Sequence, residues 1–269
     1  MIDFLEIHRG TAPLIVSFPH TGTEFPTELE HAFVSLWLAR KDSDWWIDRL
    51  YSFARDLGAT TVRTRLSRSV IDCNRDPSGA SLYPGQATTG LCPTETFDGE
   101  LLYVAAKPDD AEIERRRAAY FEPYHAALHA ELERLRSAHP RVVLYDAHSI
   151  RSHIPRLFKG DLPQFNIGTN GGTTCAPELI AAVNVICAAS RQSHVVDGRF
   201  RGGWTTRHYG SPSGGVHAIQ MELATCGYMD EPPRPAPDNW PTPLHDKPAV
   251  LPILQQVLKT CLAFAKGNP

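Results

Sequence analysis

The strongest constraint on the fold is a unit that occurs twice, a short apolar run leading into a histidine. Leu14-Ile15-Val16-Ser17-Phe18 leads through Pro19 to His20, and Val142-Val143-Leu144-Tyr145 leads through Asp146-Ala147 to His148. Runs this short, with β-branched and aromatic residues, read as buried strands rather than helices. Further strands are expected at Thr60–Thr64, His194–Val196 and 216–223, with helical patterns between them. Alternation of this kind predicts α/β architecture. The helices are expected over 28–38 with Thr27 as cap, 44–56 stopping at Gly58, 108–138 kinked or divided at Pro123, 177–190, and 248–265. Pro108 suits a first helical turn, and Leu251, Leu254, Val257, Leu258 and Leu262 share one face of the last helix. Ligands of open α/β sheets bind at the carboxyl ends of the strands. Both imidazoles are therefore expected just past such ends, and two neutral imidazoles there point to a metal site.

Composition narrows the class. The 269 residues show no repeat and no domain boundary, so residues 1–269 are read as a single domain. A net charge of −3 without a basic tract excludes nucleic acid as the expected partner. The six cysteines are scattered without a Cys-x-x-Cys, against both a zinc ribbon and a disulfide framework. The opening Met1-Ile2-Asp3-Phe4-Leu5-Glu6 is acidic where a signal peptide is basic, and no apolar run is long enough to span a bilayer. A reduced cytoplasmic protein acting on a small molecule is the expectation. Two segments rich in glycine, proline and threonine, 74–99 and 198–215, are long enough to be functional lids. The proline-dense 230–248 reads as a surface crossing before the last helix.

The chemistry-bearing residues cluster around these runs. Glu24, in the turn after His20, and Asp44, at the mouth of the helix expected over 44–56, are alternative third ligands beside the histidines. Asp42 and Asp44 equally suit helix capping. In Arg68-Ser69-Val70-Ile71-Asp72-Cys73-Asn74-Arg75 the arginines offer forks for a carboxylate, with Asp72 placed to hold one of them. Glu222 closes an apolar run, and a carboxylate there is costly unless paired or functional; a raised pKa suits a general base. Arg207 and Thr206, in Gly202-Gly203-Trp204-Thr205-Thr206-Arg207, suit an anionic substrate. Phe165-Asn166-Ile167-Gly168-Thr169-Asn170-Gly171-Gly172 reads as a similar glycine-rich loop without dinucleotide order. His125 and His129 share a helix face, as a metal pair would, but lack the glutamate of a His-Glu-x-x-His site; Tyr124-His125 instead reads as structural support for the site.

Taken together, Pro19-His20-Thr21-Gly22-Thr23, Asp44 through Tyr51, Arg68 through Arg75, Asp146-Ala147-His148-Ser149, Phe165 through Thr169, Gly202 through Arg207 and Met221-Glu222-Leu223 resemble the N-formylglutamate amidohydrolase family. The resemblance implies a fold similar to zinc carboxypeptidases and aspartoacylases, a single domain with one mixed sheet flanked by helices. It implies one divalent metal ion, zinc before cobalt, manganese or iron, with His20 and His148 as ligands. Those wider relatives place a glutamate three residues after the first histidine, where this chain has Thr23, so Asp44 is preferred to Glu24 as third ligand. Glu222 becomes the general base, Arg68 or Arg75 the stabiliser of charge on the formyl oxygen, and Asn74-Arg75 a carboxylate anchor, with Arg207, Thr206 and Asn166 beside the substrate. The implied reaction is hydrolysis of N-formyl-L-glutamate, the last step of a histidine degradation route. A deacylase of another acidic N-acyl amino acid, a carboxypeptidase-like hydrolase and a non-catalytic acidic amino-acid-binding module are the alternatives.

Overall fold

Period-two alternation in the histidine-bearing runs sorts the two faces of the sheet. In the computed structural model, which describes residues 3–82 and 84–267, the strands are β1 (Leu5–His8), β2 (Leu14–Phe18), β3 (Thr60–Thr64), β4 (Val142–Ile150), β5 (Phe165–Gly168), β6 (His194–Val196) and β7 (Val216–Ala224). The helices are α1 (Thr27–Glu30), α2 (Leu36–Arg40), α3 (Ile47–Leu50), α4 (Asp110–Arg116), α5 (Glu122–Ala138), α6 (Pro177–Ala189), α7 (Trp204–Tyr209) and α8 (Leu251–Lys266). Tyr83, within the expected loop 74–99, and the first two residues of the acidic N-terminus lie outside the described residues. The seven strands form one sheet in the order β1-β3-β2-β4-β7-β5-β6. The central pairs β3/β2, β2/β4 and β4/β7 are parallel, while β1 and β5 pair antiparallel with β3 and β7, so the sheet is mixed as expected.

Leu14, Val16 and Phe18 of β2, Val143 and Tyr145 of β4, and Ile219 and Met221 of β7 face a core closed by α3, α6 and α8. The alternate residues Ile15, Val62, Val142, Leu144 and Ala218 face a second core against Tyr124, Leu128, Leu132 and Leu135 of α5. On that second face the character changes towards the carboxyl ends. β4 continues past Leu144 with Asp146 and His148, and β7 past Ala218 with Gln220 and Glu222. Register places Asp146 opposite Gln220, and His148 opposite Glu222. A wholly buried row of ionisable groups on one sheet face demands pairing, and the site supplies it.

Several elements differ from the sequence expectation. β4 runs to Ile150, so His148 lies within the strand rather than past its end, because the ladder with β7 continues regardless of side-chain polarity. His20 does follow its strand by two residues. The helix expected over 28–38 divides into α1 and α2. Thr27 is itself helical behind Pro26 and makes no cap, while Ser35 caps α2 by accepting from Leu38 N at 3.0 Å. Only α3 and a short 3-10 turn at Ser52–Ala54 form within 44–56, since Trp46 adopts a left-handed conformation (φ 64°) just before α3. Neither Asp42 nor Asp44 caps α3; Asp42 accepts from Phe97 N and Asp44 from Ser149 N. Pro108 stands outside the helix, whose cap is Asp109, accepting from Glu112 N at 2.8 Å. A π-helical turn, Arg117–Phe121, joins α4 to α5 without a break, and Pro123 is the second residue of α5, just past that turn. β1 and β5 are additional strands, and α7 is a short helix inside the loop expected over 198–215.

Candidate active site

Four segments bring the polar groups together. The turn after β2 supplies His20, the turn before α3 supplies Asp44, the loop after β3 supplies Arg68 and Asp72, and the sheet supplies Asp146, His148 and Glu222. Asp44 N donates to the His20 carbonyl at 3.0 Å, which fixes the two turns against each other. The Asp44 carboxylate accepts from Ser149 N at 3.1 Å, tying it to β4.

His20, Asp44 and His148 form a buried group whose ligand-capable atoms lie within 4.8 Å of one another. His148 Nδ1 is 3.1 Å from Asp44 Oδ2 and 3.1 Å from His20 Nδ1. His20 Nδ1 is 3.7 Å from the same oxygen. Each imidazole turns its other nitrogen to a carboxylate, His20 Nε2 to Asp72 Oδ1 at 2.6 Å and His148 Nε2 to Asp146 Oδ2 at 2.8 Å. Carboxylates accept only, so in the neutral imidazoles Nε2–H donates outward and both Nδ1 lone pairs converge on Asp44. This carboxylate-backed pattern orients metal-ligating histidines and raises their basicity.

Electrostatics agree with a cation at the convergence. Burial and the Arg68 charge lower the His20 pKa to about 4, so it is neutral and free to ligate. Burial also opposes charge on His148, but Asp146 and Asp44 outweigh it and hold its pKa well above the ordinary imidazole value. The point between the Nδ1 atoms therefore attracts positive charge. Among the described residues Asp44 Oδ1 has no hydrogen-bond partner, although it is fully buried and Arg68 Nη1 stands 3.6 Å away. An orphaned buried carboxylate oxygen beside two converging nitrogen lone pairs fits a divalent cation with nitrogen and oxygen ligands. Glu24 is not part of this group; it is half-exposed and bonded to Arg65 Nε at 2.8 Å.

Around this centre opens a cleft of about 550 Å³, a volume that includes its mouth and open solvent. Glu222 lines it. Burial, reinforced by Asp44 and opposed by His148, raises the Glu222 pKa to about 7, and Gln220 Nε2 donates to its Oε2 at 3.1 Å. Arg68 also lines it, with Nη2 donating to Asp72 Oδ2 at 2.7 Å. Asp72 therefore holds both an arginine, as its position suggested, and His20. The Arg75, His20 and Arg68 charges outweigh burial and keep the Asp72 pKa well below its ordinary value. Arg75 lines the cleft as well, and its Nε donates to Thr89 O at 2.9 Å.

Other sequence candidates are placed differently. Asn74 reaches the cleft, yet its amide serves the protein: Nδ2 donates to Asp146 Oδ2 at 3.1 Å and Oδ1 accepts from Thr205 N at 2.8 Å. Among the described residues Arg207, Thr206 and Asn166 are not in the cleft wall. Arg207 Nη1 donates to Leu82 O at 2.9 Å, Thr206 is fully buried, and Asn166 Nδ2 donates to Glu222 O at 3.1 Å from the neighbouring strand. His125 is the support its spacing suggested, with Nε2 2.9 Å from Cys73 O, between Asp72 and Asn74. Asp146 and Arg199 emerge only in three dimensions, the first behind His148 and the second in the cleft wall. The Asp-x-His spacing in a strand carried the first signal, since residues two apart share a face.

Gly203 shows how tightly this ring is packed. Its N donates to Gln220 Oε1 at 2.7 Å, and a Cβ there would lie 2.3 Å from Asn74 Nδ2. Gly203→Ala is expected to cost about 1–3 kcal/mol by overpacking and to lower activity together with stability. Urea unfolding of the variant checks this; an unchanged midpoint would mean that the loop yields freely.

Paired imidazoles, a buried carboxylate poised near neutrality and an arginine-lined cleft at the carboxyl end of a mixed sheet are the equipment of a hydrolytic enzyme. The chain belongs to the N-formylglutamate amidohydrolase family, whose sequence profile matches residues 12–229. It is 44% identical over 269 residues to the N-formylglutamate deformylase of Pseudomonas aeruginosa, covering 99% of this chain and 98% of that protein. It is 44% identical over 266 residues to the enzyme of the same name from Pseudomonas putida, covering 98% and 97%. The fold is similar to the crystal structure of an N-formylglutamate amidohydrolase from Ralstonia eutropha JMP134, with a TM-score of 0.78 at 23% identity, covering 99% and 98% of the two chains. It is also similar to a protein from Agrobacterium tumefaciens, with a TM-score of 0.73 at 15% identity, covering 97% and 95%.

Proposed function

We propose that the protein hydrolyses N-formyl-L-glutamate to L-glutamate and formate with the help of one divalent metal ion. The observation that carries this reading is the cleft's charge. In a chain of net charge −3, the cleft wall holds, among the described residues, Arg68, Arg75 and Arg199 against a single carboxylate, Glu222. A substrate with two carboxylates beside a hydrolysable amide matches that arrangement. The family and the names of the relatives support the same substrate.

His20, Asp44 and His148 would hold the ion, zinc before cobalt, manganese or iron, since nitrogen and oxygen donors suit all four. When bound, a divalent ion supplies Lewis-acid activation of water and of the formyl carbonyl. Glu222 takes the proton of the attacking water and delivers it to the leaving nitrogen as the C–N bond breaks. A pKa near neutrality serves both transfers. Arg68 supplies N–H donors to the charge that develops on the formyl oxygen. Arg75 pairs with the α-carboxylate, and Asn74 keeps that arginine and the Asp146–His148 pair in register. Arg207, Thr206 and Asn166 support the substrate pocket from the elements behind it.

The wider parts of the reading follow the same support. Residues 1–269 act as one catalytic domain, since one sheet spans residues 5–224 and α8 closes one of its faces. The site at the carboxyl ends of a mixed sheet is in keeping with a zinc-carboxypeptidase-like or aspartoacylase-like fold. The reaction closes a histidine degradation route in the cytoplasm. Among the described residues no helix is long and apolar enough to cross a membrane, and all six cysteines are free, which suits a reducing compartment.

The test is release of formate and glutamate from N-formyl-L-glutamate before chelation, after it, and after metal add-back. Turnover lost with chelation and restored by metal is expected. Absence of turnover in fully metallated protein would remove this substrate.

A further inference from the structure

We infer that Arg199 is the residue that selects substrates by their side-chain carboxylate, an inference that rests on the proposed deformylase reaction. Of the arginines in the cleft wall, Arg68 is committed to the reaction centre, bonded to Asp72 and 3.6 Å from Asp44. Arg75 follows Asn74 directly and stands 3.8 Å from Asp72 Oδ2, one side chain removed from His20. That places Arg75 beside the reacting amide, where an α-carboxylate lies. Arg199 enters from the segment after β6. Its Nε donates to Leu157 O at 3.0 Å and its Nη2 to Ala87 O at 2.9 Å.

Arg75 and Arg199 thus grip one short stretch of backbone two residues apart, at Thr89 and Ala87. Their guanidinium groups border the same end of the cleft, and Ala87, Thr88 and Thr89 line it between them. The wall also carries Ile150, Leu157 and Phe200, which belong to one small hydrophobic cluster. An apolar wall suits the methylene carbons of an acidic side chain, and a cation fixed in that wall suits its terminal carboxylate. The carbonyls of Leu157 and Ala87 are neutral acceptors, and a charged carboxylate is a stronger partner for a guanidinium than either. A neutral amide in place of the carboxylate would lose that gain, so Arg199 discriminates glutamate-like from glutamine-like side chains.

The experiment compares the metal-loaded wild type with Arg199→Gln and Arg199→Lys. N-formyl-L-glutamate and N-formyl-L-glutamine are the paired substrates, and calorimetric binding of L-glutamate and L-glutamine is a second readout. In Arg199→Gln the kcat/KM for the glutamate substrate is expected to fall on the order of 100-fold, mainly through KM, with a far smaller fall for the glutamine substrate. Arg199→Lys, which keeps a cation, should retain part of the discrimination. Equal losses on both substrates would show that Arg199 merely braces the rim at Ala87 and Leu157 and would overturn the assignment. So would an Arg199→Gln protein that binds L-glutamate as tightly as the wild type does. If the wild type fails to deformylate N-formyl-L-glutamate, the reaction reading falls by itself. The binding comparison then decides on Arg199 independently.

Discussion

Glu222→Gln is expected to retain its metal and its fold while losing about 10²–10⁴-fold in kcat, the usual yield of a positioned acid–base group. The amide oxygen of glutamine can still accept from Gln220 Nε2, the bond that Glu222 Oε2 accepts now at 3.1 Å. The substitution also removes a negative charge that burial disfavours, visible in a pKa raised to about 7, so unfolding is not expected to become easier. What is lost is, among the described residues, the only carboxylate in the cleft wall; Asp44, Asp72 and Asp146 are committed to His20, His148 and Arg68. The measurements are steady-state deformylation with metal content on the same sample. Near-normal turnover at full occupancy would remove Glu222 from the chemistry and transfer the proton role to another group. A Glu222→Gln protein stripped of metal would instead make Glu222 a contributor to the metal site.

The sequence made the centre of the molecule legible and its periphery much less so. β2, β4 and β7 stand out because strands buried on both faces are almost continuously apolar, and the polar residues that interrupt those runs are the ones that gather at the candidate site. That same interruption hid the length of β4, since Asp146, His148 and Ser149 break an apolar pattern that the hydrogen-bond ladder ignores. β1 is an edge strand whose Leu5-Glu6-Ile7-His8 alternation is too short to separate from loop. β5 was concealed by the glycines that follow Gly168 and declares itself only by pairing with β7. Tertiary partners, not spacing, set Asp44 and Glu24 apart. Asp44 is buried between imidazoles, whereas Glu24 finds Arg65 across an isolated bridge region at the sheet margin. Arg199 carried no local signal at all, because its meaning comes from carbonyls more than 40 residues away on other segments.

His148→Ala is expected to release the metal and to destabilise the protein at the same time. The imidazole is wedged between two buried carboxylates, 3.1 Å from Asp44 Oδ2 and 2.8 Å from Asp146 Oδ2. Asp146 keeps Ser17 Oγ at 2.6 Å and Asn74 Nδ2 at 3.1 Å, so it stays hydrogen-bonded after the change. Asp44 keeps a single close hydrogen bond, from Ser149 N at 3.1 Å, with Arg68 Nη1 at 3.6 Å and His20 Nδ1 at 3.7 Å further off. Removing one partner from a buried charged pair costs about 3–5 kcal/mol, because the other charge remains desolvated. A second change tests that cause. Asp44→Asn in the His148→Ala background removes the stranded charge, so part of the lost stability should return while the metal stays absent. Urea midpoints and metal content after exhaustive dialysis measure the two effects separately. Full metal occupancy in His148→Ala would remove His148 from the ligand set. Loss of metal without loss of stability would mean that the vacated carboxylates take up protons or water, and that the ion, rather than the ion pairs, is what the arrangement serves.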